Sequence, residues 1–208
     1  MLQIQTVEPG TLDILKNLMK VPELSNFLLV GGTALSLQYG HRRSVDLDLF
    51  SSVNFDNESI ATALEKNFKG FTYRNVTNPI GLFGYIDDVK VDFVKYHHRP
   101  IIEAALLSEG IRFMSIPDII AMKVNAILKR GVKKDLGDVA ELLKHYSIKD
   151  FIGFYEKKFP SQQLLISIPQ AITYFDDAEE SEDPISLKGQ TWETVKKFIQ
   201  QKVSDFLR

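Results

Sequence analysis

The stretch FLLVGGTALSLQYGHRRSVDLDLF, residues 27–50, decides how the rest of the chain is read. Phe27–Val30 is a short, uninterrupted apolar run, the pattern of a buried strand. Gly31 and Gly32 break it, and Thr33–Tyr39 has helical character up to Gly40, which is placed as a helix-terminating glycine. Ser44–Phe50 then alternates polar and apolar residues, so it predicts a strand with its acids on one face. A strand running through glycines into a helix brings backbone close to a ligand. A helix N-terminus adds unpaired N–H groups and the positive end of a dipole. Thr33 contributes a hydroxyl at that start, and the segment reads as a place to hold a phosphate.

Asp46 and Asp48 project from the same face of the predicted strand, because strand side chains repeat every two residues. Two carboxylates so close repel one another unless a cation lies between them, and Mg²⁺ is the natural cation for oxygen ligands and phosphates. Farther on, Val89–Lys95 (VKVDFVK) also alternates, and Asp92 lies between Val91 and Phe93. An acid in an apolar strand is costly to bury unless it is paired or metal-bound. If the two strands are neighbours, Asp46, Asp48 and Asp92 converge into a two-metal phosphoryl-transfer site.

Composition narrows the alternatives. The chain has 208 residues, 44% hydrophobic and 25% charged, an ordinary globular balance. It contains no cysteine, so disulfides, thiolate zinc sites and cysteine nucleophiles are excluded. With 25 Lys/Arg against 27 Asp/Glu, a basic coat over the whole chain is excluded too. The surplus is local: residues 116–149 carry seven Lys/Arg and four Asp/Glu, whereas 176–184 carry six acids and no base. The start MLQIQTVEPG lacks the features of a signal peptide, and no run of about 18 apolar residues exists to cross a membrane. A cytoplasmic protein without membrane contact is expected.

Outside the opening stretch, a helix is predicted to start at Glu8-Pro9-Gly10-Thr11 and run through LDILKNLMK (12–20), closed by Pro22, and residues 58–68 predict another. Phe71–Val76, Ile80–Ile86, Val89–Lys95 and Ile111–Met114 predict strands, with a turn at Asp87-Asp88. From Ser115, a helix-capping residue followed three positions later by Asp118, the pattern turns helical. Helices are predicted through residues 116–130, 133–146, 151–159, 161–175 and 192–207, with 176–184 an exposed acidic loop. The expected fold class is α+β. An α/β domain with a mixed sheet covers residues 1–114, and an α-helical bundle covers 115–208.

The order Gly31-Gly32-Thr33, then Asp46-x-Asp48 thirteen positions after Thr33, then Asp92, resembles the DNA polymerase β-like nucleotidyltransferase superfamily. Within it, GGTALSLQYGHRRSVDLDLF is similar to the AbiEii/AbiGii toxin nucleotidyltransferases of abortive-infection and toxin–antitoxin systems. AMKVNAILKRGVKKDLGDVAELL (121–143) and, more weakly, AITYFDDAEESEDP with Trp192 extend the likeness over nearly the whole chain. The resemblance implies an Mg²⁺-dependent enzyme that transfers NMP from an NTP to an acceptor hydroxyl. It favours an RNA acceptor, particularly a tRNA 3′ end, and a cognate antitoxin as partner. Gly31, Gly32 and Thr33 fall on the family's glycine turn and would contact the triphosphate; Thr stands where Ser is commoner. Asp46, Asp48 and Asp92 match the metal ligands, and Asp92 would help activate the attacking hydroxyl. Lys123 matches a lysine expected near the triphosphate, and Asp135 an aspartate counted with the catalytic set. Arg42, Arg130 and Lys134 are further candidates for nucleotide contact.

Each residue also has a plainer reading. A D-x-D pair can be two surface carboxylates, Asp92 an edge-strand acid, and a glycine pair only a tight turn. Lys123 can snorkel from a helix edge. Asp135 and Asp138 can form a solvated helix face, and His41-Arg42-Arg43 can answer the dipole at a helix end. The pair His97-His98 points to opposite sides of a strand end and makes a poor metal site. Two further functions stay open: an NTP-binding toxin component that acts through a partner without transfer, and a transferase acting on a protein or an aminoglycoside-like small molecule.

Overall fold

In a computed structural model, residues 1–97 and 99–208 are described. Helix α1 (Pro9–Leu18) leads into β1 (Phe27–Val30), whose apolar run is buried as expected. Helix α2 (Gly31–Tyr39) begins at the first glycine and ends on Gly40 in the left-handed conformation. Then follow β2 (Leu47–Ser51), α3 (Asn57–Asn67), β3 (Phe71–Tyr73), β4 (Gly81–Ile86), β5 (Val89–Lys95), β6 (Leu106–Ser108) and β7 (Ile111–Phe113). The helical part comprises α4 (Ile116–Arg130), α5 (Lys133–Leu142), α6 (Ile148–Lys158), α7 (Ile168–Thr173), the single turn α8 (Asp176–Glu179) and α9 (Trp192–Leu207).

The strands form one mixed sheet in the order β3-β4-β5-β2-β1-β7-β6. The fold is α+β. Strand β2 runs antiparallel to β1 and parallel to β5, and their register sets Asp48 opposite both Val30 and Asp92. Two hairpins frame the sheet. Asp87 and Asp88 both take positive φ between β4 and β5, as do Glu109 and Gly110 between β6 and β7, the backbone that two-residue hairpin turns need.

The helices begin at readable signals. Ser115 caps α4 by accepting from the Asp118 N–H, and Ser147, Ser167 and Thr191 head full capping boxes on α6, α7 and α9. Helix α5 is buried on every face from Asp135 to Leu142, so it is the central helix of this part. It packs on α4 and α9 and also reaches α2, which joins the helical part to the glycine turn.

Several expectations need correcting. Strand β2 starts at Leu47, not Ser44, because the backbone before it bonds elsewhere. The N–H of Arg43 donates to the Ile185 carbonyl and that of Ser44 to the Thr6 carbonyl. Strand β3 stops at Tyr73. Residues 161–167 are not helical; the Ser167 capping box and Pro169 in the first turn start α7 only at Ile168. Strand β6 was not anticipated. The acidic segment 176–184 is only partly a loop, since α8 takes its first four residues.

Candidate active site

Strand β1 delivers the chain to Gly31, which has φ +71°. A Cβ there would lie 2.7 Å from Asp48 Oδ2. Both facts require glycine: the backbone is left-handed, and the carboxylate of the neighbouring strand occupies the space of a side chain. At Gly32 a Cβ would lie 2.1 Å from Arg42 Nη2. Each glycine therefore admits a charged side chain of the site. No side chain caps α2, so its first-turn N–H groups lack that partner.

Thr33, expected to face the triphosphate, is buried behind the turn. Its hydroxyl donates to the Asp46 carbonyl and lies 2.9 Å from Ser44 Oγ, so it fixes the segment leading into β2. Asp46 is half-buried just ahead of β2, and Asp48 follows on the same face. Asp48 is pushed above the usual carboxylate range, first by burial and then by the charge of Asp92, against the opposing pull of Lys90 and Lys123. Asp92 lies directly across from Asp48 on β5. Its Oδ2 accepts from Lys90 Nζ at 2.6 Å, while its Oδ1 is buried without a hydrogen-bond partner. Among the described residues no three His, Asp or Glu groups stand close enough to hold a metal ion. Lys90 holds one oxygen of Asp92. Two adjacent half-buried carboxylates, one of them with an unpartnered oxygen, are nonetheless a donor set that suits a hard, oxygen-preferring cation.

A cleft of about 670 Å³ opens here, lined by Gly31, Gly32, Asp46 and Asp48 on one side and by α4 and the start of α5 on the other. Lys123, Lys129, Arg130, Lys134 and Asp135 line the helical side, and Arg42 and Arg43 the rim beside the glycines. Thr33 and Asp92 are not among the lining residues. Lys134 is exposed, and Arg130 is exposed with its Nε 3.9 Å from Asp135 Oδ2.

Lys123 and Arg42 are built differently from those rim cations, being buried and paired. Lys123 Nζ donates to Asp135 Oδ1 at 2.7 Å and lies 2.7 Å from Asp138 Oδ2. Arg42 grips Asp138 through two bonds, Nε to Oδ1 at 2.7 Å and Nη2 to Oδ2 at 2.9 Å. Burial works against the charge of Lys123, but Asp138 and Asp135 outweigh it and raise its pKa. Burial likewise would raise Asp138, yet Lys123 and Arg42 hold it well below the usual range. The solvated-face reading of Asp135 and Asp138 is thus wrong, since both are buried. From the sequence, Asp138 and His41 stand out without a place in the site, and Lys90 does not stand out at all. The i, i+3 spacing of Asp135 and Asp138, and the shared strand face of Lys90 and Asp92, were the available signals. Of the histidine pair, His98 lies outside the described residues.

The profile of the AbiEii nucleotidyl transferase toxins of type IV toxin–antitoxin systems matches residues 13–186. The chain belongs to the AbiEii family. An uncharacterized protein of Aquifex aeolicus (strain VF5) is 32% identical over 203 residues, covering 94% of this chain and 95% of that protein. Among solved structures, JHP933 from Helicobacter pylori superposes with TM-score 0.51 at 17% identity, covering 97% of this chain and 96% of its own. MenT4, a nucleotidyltransferase toxin from Mycobacterium tuberculosis H37Rv, gives 0.54 at 14% identity, with coverages of 93% and 83%. ANT(2″)-Ia, solved with adenylyl-2″-tobramycin, gives 0.54 at 15% identity over 71% of this chain and 95% of its own. At such identities the solved structures establish a shared fold. Family membership makes this AbiEii chain a nucleotidyltransferase. No helix among the described residues is long and apolar enough to cross a membrane.

Proposed function

We propose that this AbiEii protein binds an NTP with Mg²⁺ in the cleft and transfers NMP to an acceptor hydroxyl. The supporting observation is Gly31 packed against Asp48 on one side of a cleft whose far wall carries cations, with Asp92 across from Asp48 on the next strand. Residues 1–114 would supply the catalytic unit and 115–208 the helical wall. Asp46, Asp48 and Asp92 would hold the metal, which when bound offsets negative charge on the phosphates and on the entering oxygen. Gly31, Gly32 and the uncapped start of α2 leave room and N–H groups for phosphate oxygens. Arg42, Lys123, Arg130 and Lys134 oppose the charge of the triphosphate. Lys123 and Asp135 act as one unit, since the carboxylate fixes the ammonium on the cleft wall. In the step itself the acceptor oxygen bonds to the α-phosphorus, the bond to the β-phosphate oxygen breaks, and pyrophosphate leaves. The hydroxyl proton passes to a carboxylate of the site and on to water. The proposed acceptor is an RNA 3′ end, supported by the exposed rim cations Lys129, Arg130 and Lys134. The proposed physiological partner is a cognate antitoxin.

The test uses α-³²P-labelled NTPs with bulk RNA, bulk protein or an aminoglycoside as acceptor. Label should enter the RNA with wild type and be lost with Asp46→Asn; equal labelling by both proteins would refute the site. A second reading, NTP binding without transfer, is favoured by Lys90 holding Asp92 at 2.6 Å where a metal ligand would be needed. Calorimetry separates the two, because tight NTP binding without pyrophosphate release over hours supports the second.

A further inference from the structure

Asp138 lines no part of the cleft, is fully buried, and is the most heavily engaged carboxylate of the site. Its Oδ1 accepts from Arg42 Nε and lies 2.7 Å from His41 Nε2. Its Oδ2 accepts from Arg42 Nη2 at 2.9 Å and lies 2.7 Å from Lys123 Nζ. One carboxylate on α5 thus gathers donors from the segment after α2 and from α4, which lie on opposite walls of the cleft. The Arg42 end it fixes is the group that Gly32 makes room for.

We propose that Asp138 is a positioning residue for nucleotide binding: it holds Arg42 against the glycine turn and Lys123 on the helical wall, so that both cations meet the triphosphate already ordered. The proposal rests on the reading of the cleft as an NTP site. A free Arg or Lys side chain loses rotamer entropy when it is fixed on a ligand, so cations ordered beforehand bind phosphate at lower cost. The charges require an acid at this position. Arg42 and Lys123 come close to one another inside the protein, and Asp135 and Asp138 together cancel them. Arg130 reaches Asp135 only at 3.9 Å, so it adds little restraint. An amide at 138 keeps the shape, but it sets an N–H₂ against donors and leaves a surplus positive charge in the cluster. A glutamate keeps the charge but moves the oxygens by one methylene.

The experiment compares wild type, Asp138→Asn, Asp138→Glu and Arg42→Lys. The control is Asp118→Asn, another fully buried carboxylate, which pairs with Lys158 and does not line the cleft. Mg²⁺–NTP affinity is read by calorimetry, and KM and kcat from transfer assays, at a temperature where circular dichroism shows each protein folded. Asp138→Asn should weaken affinity and raise KM at least tenfold with a smaller change in kcat, and Asp138→Glu should recover part of the loss. Asp118→Asn should lower the melting midpoint and leave affinity unchanged. Should Asp138→Asn not fold, Arg42→Lys carries the test, because it keeps the charge but cannot make the two-bond grip, and it should weaken binding likewise. Affinity within twofold of wild type for the folded variants, or an equal loss in Asp118→Asn, would overturn the proposal. If wild type binds NTP but transfers nothing, the transferase reading falls while the affinity series still decides the role of Asp138. If wild type binds no NTP, both fall.

Discussion

Replacing Gly31 by alanine should damage activity far more than stability, and the structure gives the scale of both. The backbone at residue 31 is left-handed, with φ +71°. Forcing an L side chain there costs about 1–2 kcal/mol. In a chain of this size that lowers the melting midpoint by about 2–8 °C. The second effect is local. The new Cβ would stand 2.7 Å from Asp48 Oδ2, and ordinary contact begins near 3.4 Å, so the carboxylate must retreat by roughly 0.7 Å. Its neighbours on β2, Leu47 and Leu49, are buried in the core, so the strand itself cannot follow. A misplacement of about 1 Å in a reacting constellation can cost ~100-fold in rate. The assay is NMP transfer from labelled NTP, normalised to folded protein, beside a thermal melt. Gly10→Ala is the matched control, because a Cβ there meets nothing within 4 Å. Gly10→Ala should retain activity, whereas Gly31→Ala should fall by about two orders of magnitude. Transfer by Gly31→Ala within twofold of wild type would refute the argument that this glycine exists to seat Asp48.

Three further outcomes follow from other parts of the molecule. Lys158 and Asp118 form a fully buried pair at 2.5 Å, with Lys158 also donating to the Pro100 carbonyl. Lys158→Met alone should therefore cost about 3–5 kcal/mol in denaturant melts and the double change Lys158→Met/Asp118→Leu much less; equal losses would show that the pair is not coupled. The exposed rim cations are screened by salt while buried pairs are not, so the KM of a Lys129/Arg130/Lys134 triple alanine variant should change little between low and high salt, whereas that of wild type rises. Parallel salt curves would remove the rim from nucleotide binding. Asp138 has its folded pKa held below the unfolded value of 3.8, so its stabilisation is present above that pH and is lost as pH falls through the folded value. The gap in melting midpoint between wild type and Asp138→Asn should then shrink as pH drops from 6 toward about 3, and a constant gap would deny the linkage.

Much of the framework of the candidate site could be read because its signals are local. The Phe27–Val30 run, the glycine pair and the D-x-D alternation are each decided by neighbours in sequence; β1 and the end of α2 at Gly40 appear where those patterns put them, while α2 starts at Gly31 rather than Thr33 and β2 at Leu47 rather than Ser44. What failed had partners far along the chain. The start of β2 depends on Thr6 and Ile185, which take the N–H groups of Ser44 and Arg43. Thr33 could not be assigned to Ser44 and the Asp46 carbonyl without the turn that folds it back. Asp138 sits 96 residues from Arg42, and no helical periodicity announces that a helix carrying Lys, Asp and Glu will be buried all round.

The same distinction changes the meaning of the basic surplus in residues 116–149. Counted along the chain it looks like one cationic wall, but in the fold the charges separate by their partners. Lys123 answers Asp135 and Asp138, Lys144 answers Glu141, and Lys133 reaches Asp183 in the acidic segment. Acids of that segment also tie down α9, where Lys196 meets Glu179. The acids of 176–184 therefore do more than offset a distant surplus; two of them pair with lysines of α5 and α9. On the proposed reading, long-range attraction of a polyanion would fall to Lys129, Arg130, Lys134 and Arg43, which line the cleft. On the same reading, close-range placement would fall to Arg42 and Lys123, whose charges Asp135 and Asp138 already balance. A near-neutral protein can hold a triphosphate on these terms, because orientation inside a buried cluster does not depend on net charge.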